Sequence, residues 1–330
     1  MEETVLKKVL TAATAAVLIG SLAACGGEDS VASSEAGGSS DTITMGFAQV
    51  GAESGWRTAN TKSIQESAKA AGIELKFSDA QQKQENQIKA IRSYIQQKVD
   101  VIAFSPVVET GWDSVLQEAK RAKIPVILTD RAVDSEDETL YETFIGSDFV
   151  EEGKKAGEWL VQEVGTAETN VVELQGTTGA APANDRRDGF EEAVSGSPNI
   201  KVIASQTGDF TRSGGKEVME AFLKSNPDID VVYAHNDDMG LGAIEAIEAA
   251  GKVPGQDIKI ITVDAVKDGM QALADGKINF IVECSPLLGD QLMDAAQKVL
   301  AGEEVEKRIV TEETTFTQEQ AVEALPTRKY

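Results

Sequence analysis

From residue 42 to residue 311 the chain alternates short runs rich in Val, Ile and Phe with longer stretches of helical periodicity, and few folds accommodate that alternation. Strands separated by helices read as βαβ units, whose crossovers make neighbouring strands parallel. Strands are predicted at Ile43 to Ala48, Ile73 to Phe77, Val101 to Ser105, Pro125 to Thr129 and Thr143 to Gly146. A second series is predicted at Val171 to Gln175, Lys201 to Ser205, Val231 to Ala234, Lys259 to Val263 and Asn279 to Glu283. Ile88, Ile91 and Ile95, three and four residues apart, mark the core stripe of one intervening helix. Two half-series of about five strands predict an α/β chain of two similar doubly wound parallel-sheet lobes. The boundary is expected near Ser147 to Val150. A helix from Leu287 to Leu300 and a strand near Arg308 to Thr311 follow the second series, so the chain is expected to return to the first lobe before ending on the second. One lobe then takes residues 42–148 with 284–311, the other 149–283 with 312–330, and the crossings form a multi-strand hinge.

Ahead of the sheets lies a segment of different character. Lys7 and Lys8 precede an apolar run from Val9 to Ala24, which reads as a secretory signal over residues 1–24. The run of about sixteen residues is shorter than the roughly 20 a membrane span needs. Its ending Leu22-Ala23-Ala24-Cys25 resembles a bacterial lipobox, in which Cys25 becomes the lipidated first residue; ordinary cleavage without a lipid is the alternative. From Gly26 to Asp41 the chain is Gly, Ser, Ala and acid without periodicity, as in a flexible tether. The expected product is an exported protein, anchored to a membrane through its lipid alone and facing the periplasm or the cell exterior.

A net charge of −24 argues against nucleic acid and against adsorption to anionic lipid. Apart from Cys25, Cys284 is the only thiol, so no internal disulfide is expected, and a lone Cys after an apolar strand reads as an inert buried residue. A single histidine and a single thiol do not make an ordinary zinc site. The acidic run from Asp134 to Glu138 lacks the central Gly of a calcium loop. Dinucleotide-binding, phosphate-loop and nucleophile-elbow motifs are absent, and Gln175-Gly176-Thr177-Thr178-Gly179 is too short of glycines to replace them. The chain is therefore expected to use no cofactor and no metal, and not to be an enzyme.

What remains is a set of polar and aromatic residues just past strand ends, the edge where open parallel sheets bind ligands. Glu53-Ser54-Gly55-Trp56-Arg57 follows the first strand. Trp56 offers an indole face for stacking on a sugar ring, and Arg57 a fork of donors for hydroxyl oxygens. A Trp covering the lobe edge beside a helix-cap ion pair is the bland alternative. Asp130 and Arg131 end a buried strand as an adjacent opposite-charge pair, one accepting from hydroxyls and the other donating. Arg186 opens a helix one turn before Phe190, while Asp185 caps that helix and Arg187 is solvated. Asn236 supplies donor and acceptor together, and Asp264 repeats the design after the next strand. Asp237 and Glu283 are weaker candidates, Glu283 because it can belong to the hinge. His235 reads as a structural imidazole in preference to a general base.

These residues resemble the type I periplasmic sugar-binding proteins of ABC transporters, and among them the galactofuranose binders, over the chain from Thr42 onward. The most specific stretches are Gly51-Ala52-Glu53-Ser54-Gly55-Trp56-Arg57, Gln81-Gln82-Lys83-Gln84-Glu85-Asn86-Gln87, Val171-Val172-Glu173-Leu174-Gln175-Gly176-Thr177 and Tyr233-Ala234-His235-Asn236-Asp237-Asp238-Met239. The resemblance implies that Glu53, Trp56, Arg57, Asp130, Arg131, Arg186, Asn236 and Asp264 contact a monosaccharide, galactofuranose or a similar sugar. It further implies that two lobes close on the sugar and that a membrane permease receives it from a monomeric carrier. The lipobox and long tether depart from a simple signal peptide and leave the type of envelope open. Two other functions compete. A sugar-sensing partner of a chemoreceptor or sensor kinase would differ in surface and not in pocket; a secreted glycosidase would need two carboxylates flanking the scissile bond.

Overall fold

The computed structural model describes residues 42–330; the signal at 1–24, Cys25 and the tether to Asp41 lie outside the described residues. The first half of the chain runs β1 (Thr44–Gln49), α1 (Gly55–Ala70), β2 (Glu74–Asp79), α2 (Gln84–Gln97), β3 (Val101–Phe104), α3 (Asp113–Arg121), β4 (Val126–Thr129) and β5 (Thr143–Gly146). The second half runs α4 (Phe149–Val164), β6 (Thr169–Gln175), α5 (Ala181–Val194), β7 (Ile200–Thr207), α6 (Arg212–Ser225), β8 (Val231–Ala234), α7 (Asp237–Ala249), β9 (Lys259–Asp264), α8 (Lys267–Ala274) and β10 (Phe280–Glu283). It closes with α9 (Gly289–Ala301), β11 (Arg308–Val310), β12 (Thr315–Phe316) and α10 (Gln318–Ala324).

Two six-stranded sheets result, ordered β2-β1-β3-β4-β5-β11 and β7-β6-β8-β9-β10-β12, so the halves repeat one topology. Every pairing is parallel except that of β12 with β10. The central strands show why: they are buried on both faces, as the helix layers of a parallel sheet require. Along β3 the pleat sends Ile102 and Phe104 to a cluster with Ile91, Trp112 and Leu128, while Val101 and Ala103 meet Phe47, Ile64 and Leu292 on the other face. Ile88 and Ile95 pack against the first of these clusters, where the three-and-four spacing put them. The outer strand β7 is longer than its apolar run and mostly exposed, because an edge strand needs cover on fewer sides.

The chain passes between the sheets after β5, after β10 and after β11. Helix α9 packs on α1 before β11 joins β5, and α10 packs on α8 after β12 joins β10. Each sheet thus receives an element from late in the sequence, and three segments connect the two α/β lobes: Ser147–Asp148, Cys284–Leu288 and Thr311–Thr314. Among the described residues no helix is long and apolar enough to cross a membrane.

Candidate ligand-binding site

In the strand order 2-1-3-4-5 the loops leaving the C-terminal strand ends separate beside β1, and a crevice opens there. Both lobes present such an edge, and between them lies a pocket of about 290 Å³, counting space open to solvent. It is lined by Glu53, Ser54, Trp56, Arg57, Asp130 and Arg131 from one lobe, by Pro182, Arg186, Phe210, Asn236 and Asp264 from the other, and by Cys284 of a crossing segment.

The β1 loop folds differently from the sequence reading. Helix α1 starts at Gly55, because the Ser54 hydroxyl accepts from the Arg57 amide at 3.1 Å and caps it. Trp56 and Arg57 therefore occupy the first turn, not an open loop. The indole is only 5 % exposed; its Nε1 donates to the Cys284 carbonyl at 2.7 Å and its ring joins the apolar cluster of Phe149 and Val266 in the opposite lobe. The stacking face expected of Trp56 is covered by its packing against these residues of the opposite lobe.

Charge in the first lobe is organised around Arg57. Its Nε donates to Glu53 Oε1 at 3.1 Å, Nη1 donates to Gln49 Oε1 at 3.2 Å, and Nη2 stands 2.6 Å from Asp130 Oδ2 without hydrogen-bond alignment. Asp130 and Arg131 are less intimate than their adjacency suggested, at 3.6 Å, since Arg131 turns its Nη1 to the Val107 carbonyl and lays its guanidinium over Phe210. Burial alone would raise the Glu53 pKa, but the guanidiniums of Arg57 and Arg131 outweigh it and hold the carboxyl below its usual range. Burial and the neighbouring Arg57 bring Arg131 down to about 10, which leaves it charged at neutral pH.

In the second lobe Arg186 is fully committed on one side: Nε donates to Glu152 Oε2 at 2.7 Å and Nη1 to the His235 carbonyl at 2.6 Å. Asn236 is the N-cap of α7, its Oδ1 accepting from Met239 N–H at 2.9 Å and its Nδ2 donating to the Phe210 carbonyl at 3.1 Å. The amide that was expected to serve a sugar with both groups thus serves the fold first and faces the pocket with what is left. Asp264 stands at φ 125° with Oδ2 buried and unpartnered, and burial lifts its pKa well above the usual carboxylate range.

Three candidates fall outside the lining. The Gly55 amide donates to Asp238 Oδ2 across the cleft at 2.7 Å. Asp237 turns inward, accepting from Thr262 Oγ1 and the Val266 amide. Glu283 is bound to Arg328 at 2.7 Å and Tyr330 at 3.0 Å, which fastens the C-terminus. His235 is fully buried, with Nε2 2.9 Å from Glu173 and Nδ1 accepting from Gly176 N–H, and burial lowers its pKa; this is the structural imidazole expected. Phe210, Pro182 and Cys284 were not foreseen as lining. The signal for Phe210 was present: an aromatic just past a strand end, opposite Gly176, where a Cβ would come within 1.9 Å of its ring.

Comparison with known proteins decides the family. Residues 45–304 match the model of the periplasmic binding protein domain. Galactofuranose-binding protein YtfQ of Escherichia coli (strain K12) is 51% identical over 291 residues, 87% of this chain and 92% of that protein. The chain belongs to the periplasmic binding protein family. A crystal structure from Mycobacterium smegmatis in complex with β-D-fucofuranose is 67% identical to this binding protein and superposes with a TM-score of 0.86, covering 88% of this chain and 96% of its own. A further structure from Mycobacterium smegmatis, 65% identical over 88% of this chain and 95% of its own, superposes with a TM-score of 0.68. The family consists of binding proteins, not enzymes, and the two-lobed parallel-sheet fold is theirs.

Proposed function

We propose that this protein captures a monosaccharide, galactofuranose or a similar furanose, between its two lobes and delivers it to the membrane permease of an ABC importer. One observation carries the reading. Glu53 Oε2, Arg131 Nε and Asp264 Oδ2 are buried without a hydrogen-bond partner, Asp130 Oδ2 is held only by ion pairs with Arg57 and Arg131, and all four belong to residues lining the same pocket. A buried polar group left unsatisfied costs about 1–3 kcal/mol. Acceptors and a donor facing one another from opposite lobes suit a neutral molecule that presents hydroxyls on several sides, and they penalise any sugar that lacks one. Relatives that bind galactofuranose and fucofuranose point to the five-membered ring form.

Residues 42–148 with 284–311 form one lobe and 149–283 with 312–330 the other, turning on the three connecting segments. Two relatives almost equal in sequence identity superpose at TM-scores of 0.86 and 0.68, the kind of spread that a difference in lobe angle would produce. Ligand favours the closed form by bridging Asp130 and Arg131 to Arg186 and Asp264. The protein works exported, as a monomer tethered through lipidated Cys25, with the permease as partner and no nucleic acid. A thermal-shift screen of furanose and pyranose sugars tests the reading. Ligand at about a hundred times its Kd adds about 2.7 kcal/mol, so a matching furanose raises Tm by roughly 5 °C or more. A screen in which no monosaccharide moves Tm refutes it.

A further inference from the structure

Behind the pocket, where the three connecting segments meet, lies a second set of charged groups. Glu152 in the first turn of α4 is 1 % exposed; its Oε2 accepts from Arg186, while Oε1 has no partner. Glu313, between β11 and β12, accepts at one oxygen from the Ser147 hydroxyl, from Thr311 Oγ1 at 3.0 Å and from the Ser285 amide at 2.8 Å. Each of its three donors comes from a different connecting segment. One carboxylate oxygen each of Glu152 and Glu313 and the Sγ of Cys284 lie within 4.8 Å of one another. Two carboxylates this close and poorly solvated disfavour ionisation of both, because their like charges repel with little water to screen them.

Resting on the sugar-capture reading, we propose that Glu152 and Glu313 share one proton behind Arg186, acting as positioning residues that make sugar affinity depend on pH. The shared proton lets Glu313 gather the three segments and lets Glu152 hold Arg186 against the pocket. When it is lost, the two negative charges repel where the lobes turn.

The surroundings restrict what else can titrate there. Arg186 faces Glu152 from α5, Tyr233 from β8, Asp264 from beyond β9 and Cys284 from beyond β10, while Arg308 on β11 faces Glu313. Burial pushes Tyr233 and Cys284 upward, so both stay neutral. Burial, opposed by Arg186 and reinforced by Glu313, raises Glu152 to about 8, and burial also raises Glu313. A proton held more tightly in the closed form favours closure at low pH, and this contribution disappears as pH rises through the closed-form value near 8. Asp264, also raised, adds a dependence of its own that the comparison below subtracts.

The test is calorimetric titration of the furanose that shifts Tm, from about pH 6 to about pH 9, on the unmodified protein and on Glu313→Gln. Kd of the unmodified protein should rise by up to about tenfold per pH unit below 8, in excess of any rise in E313Q, whose amide supplies the missing donor permanently. Glu152→Gln should remove the same excess. Equal pH profiles in all three overturn the proposal, as does an excess abolished by dialysis against EDTA, which would place a cation between the oxygens. Failure of both variants to fold overturns it too, since an amide is the near-isostere of a carboxylic acid. Melting curves without sugar separate the two readings. The Tm of the unmodified protein should fall relative to E313Q as pH rises toward 8 even if no sugar binds, and no fall overturns the proposal while leaving sugar capture standing.

Discussion

Asp130 carries both charge and backbone strain. Its φ is 62°, and the Arg131 amide reaches back to the Thr129 carbonyl at 2.6 Å in a three-residue turn, a conformation L residues rarely adopt. Gly146 makes the turn possible, since a Cβ there would approach the Asp130 carbonyl to 2.8 Å. Asp130→Asn keeps the shape and removes the charge. It should weaken sugar binding by at least ~100-fold, about 3 kcal/mol, and lower Tm, because Arg57 then loses its nearest carboxylate. Calorimetry and a thermal melt check both effects, and undiminished binding would remove Asp130 from the site. Position at a strand end was enough to single out Asp130 and Asp264 in the sequence, whereas Arg186, read as opening a helix, lies in the second turn of α5, whose N-cap is Ala180 and not Asp185. The sequence ranked Asp237 below Asn236 without showing why the first turns inward while the second lines the pocket. Both follow the same strand, and only the capping geometry of α7 distinguishes them.

At the scale of elements, Arg186 is placed by the contact of α4 with α5. Gly153 and Gly189 let the two helices meet backbone to backbone: a Cβ on Gly153 would come 2.2 Å from the Arg186 carbonyl, and one on Gly189 would come 2.1 Å from the Val150 carbonyl. Ala in place of a helical Gly gains about 1 kcal/mol in propensity, and overpacking against backbone costs about 1–3 kcal/mol, so the clash prevails. Gly153→Ala should lower Tm and weaken sugar binding together, as Arg186 moves with its helix. Gly196→Ala, where the added methyl meets nothing, should do neither. A G153A protein with unchanged Tm would show that the helices have room to part. The strands were legible because a doubly covered strand must be apolar throughout. The close approach of α4 and α5 was not, since glycine in a sequence does not announce which neighbour it admits.

At the scale of the molecule, the lobes are also joined by contacts that never touch the pocket. Besides the bond from Gly55 to Asp238, Asn184 Nδ2 donates to Glu109 Oε2 at 2.6 Å and the Glu109 amide to the Gly179 carbonyl at 2.9 Å. Asp238→Ala removes one clasp and should weaken every sugar by about tenfold, mostly through faster release, without changing their order. A change in sugar preference, read by titration with two furanoses, would mean that Asp238 meets ligand directly. Such pairs join residues 75 and 183 positions apart, and only the folded chain brings them together.

Alternating apolar runs and helical periodicities sufficed for the two similar parallel-sheet lobes and the edge on which polar residues gather, because burial on both faces of a strand is written locally. Tertiary structure alone decided which of those polar groups remain unpaired in a shared pocket, which are consumed as caps and clasps, and that Glu152 and Glu313 stand together. Hydrogen-bond satisfaction and desolvation depend on neighbours in space, and the connecting segments bring those neighbours from distant parts of the chain.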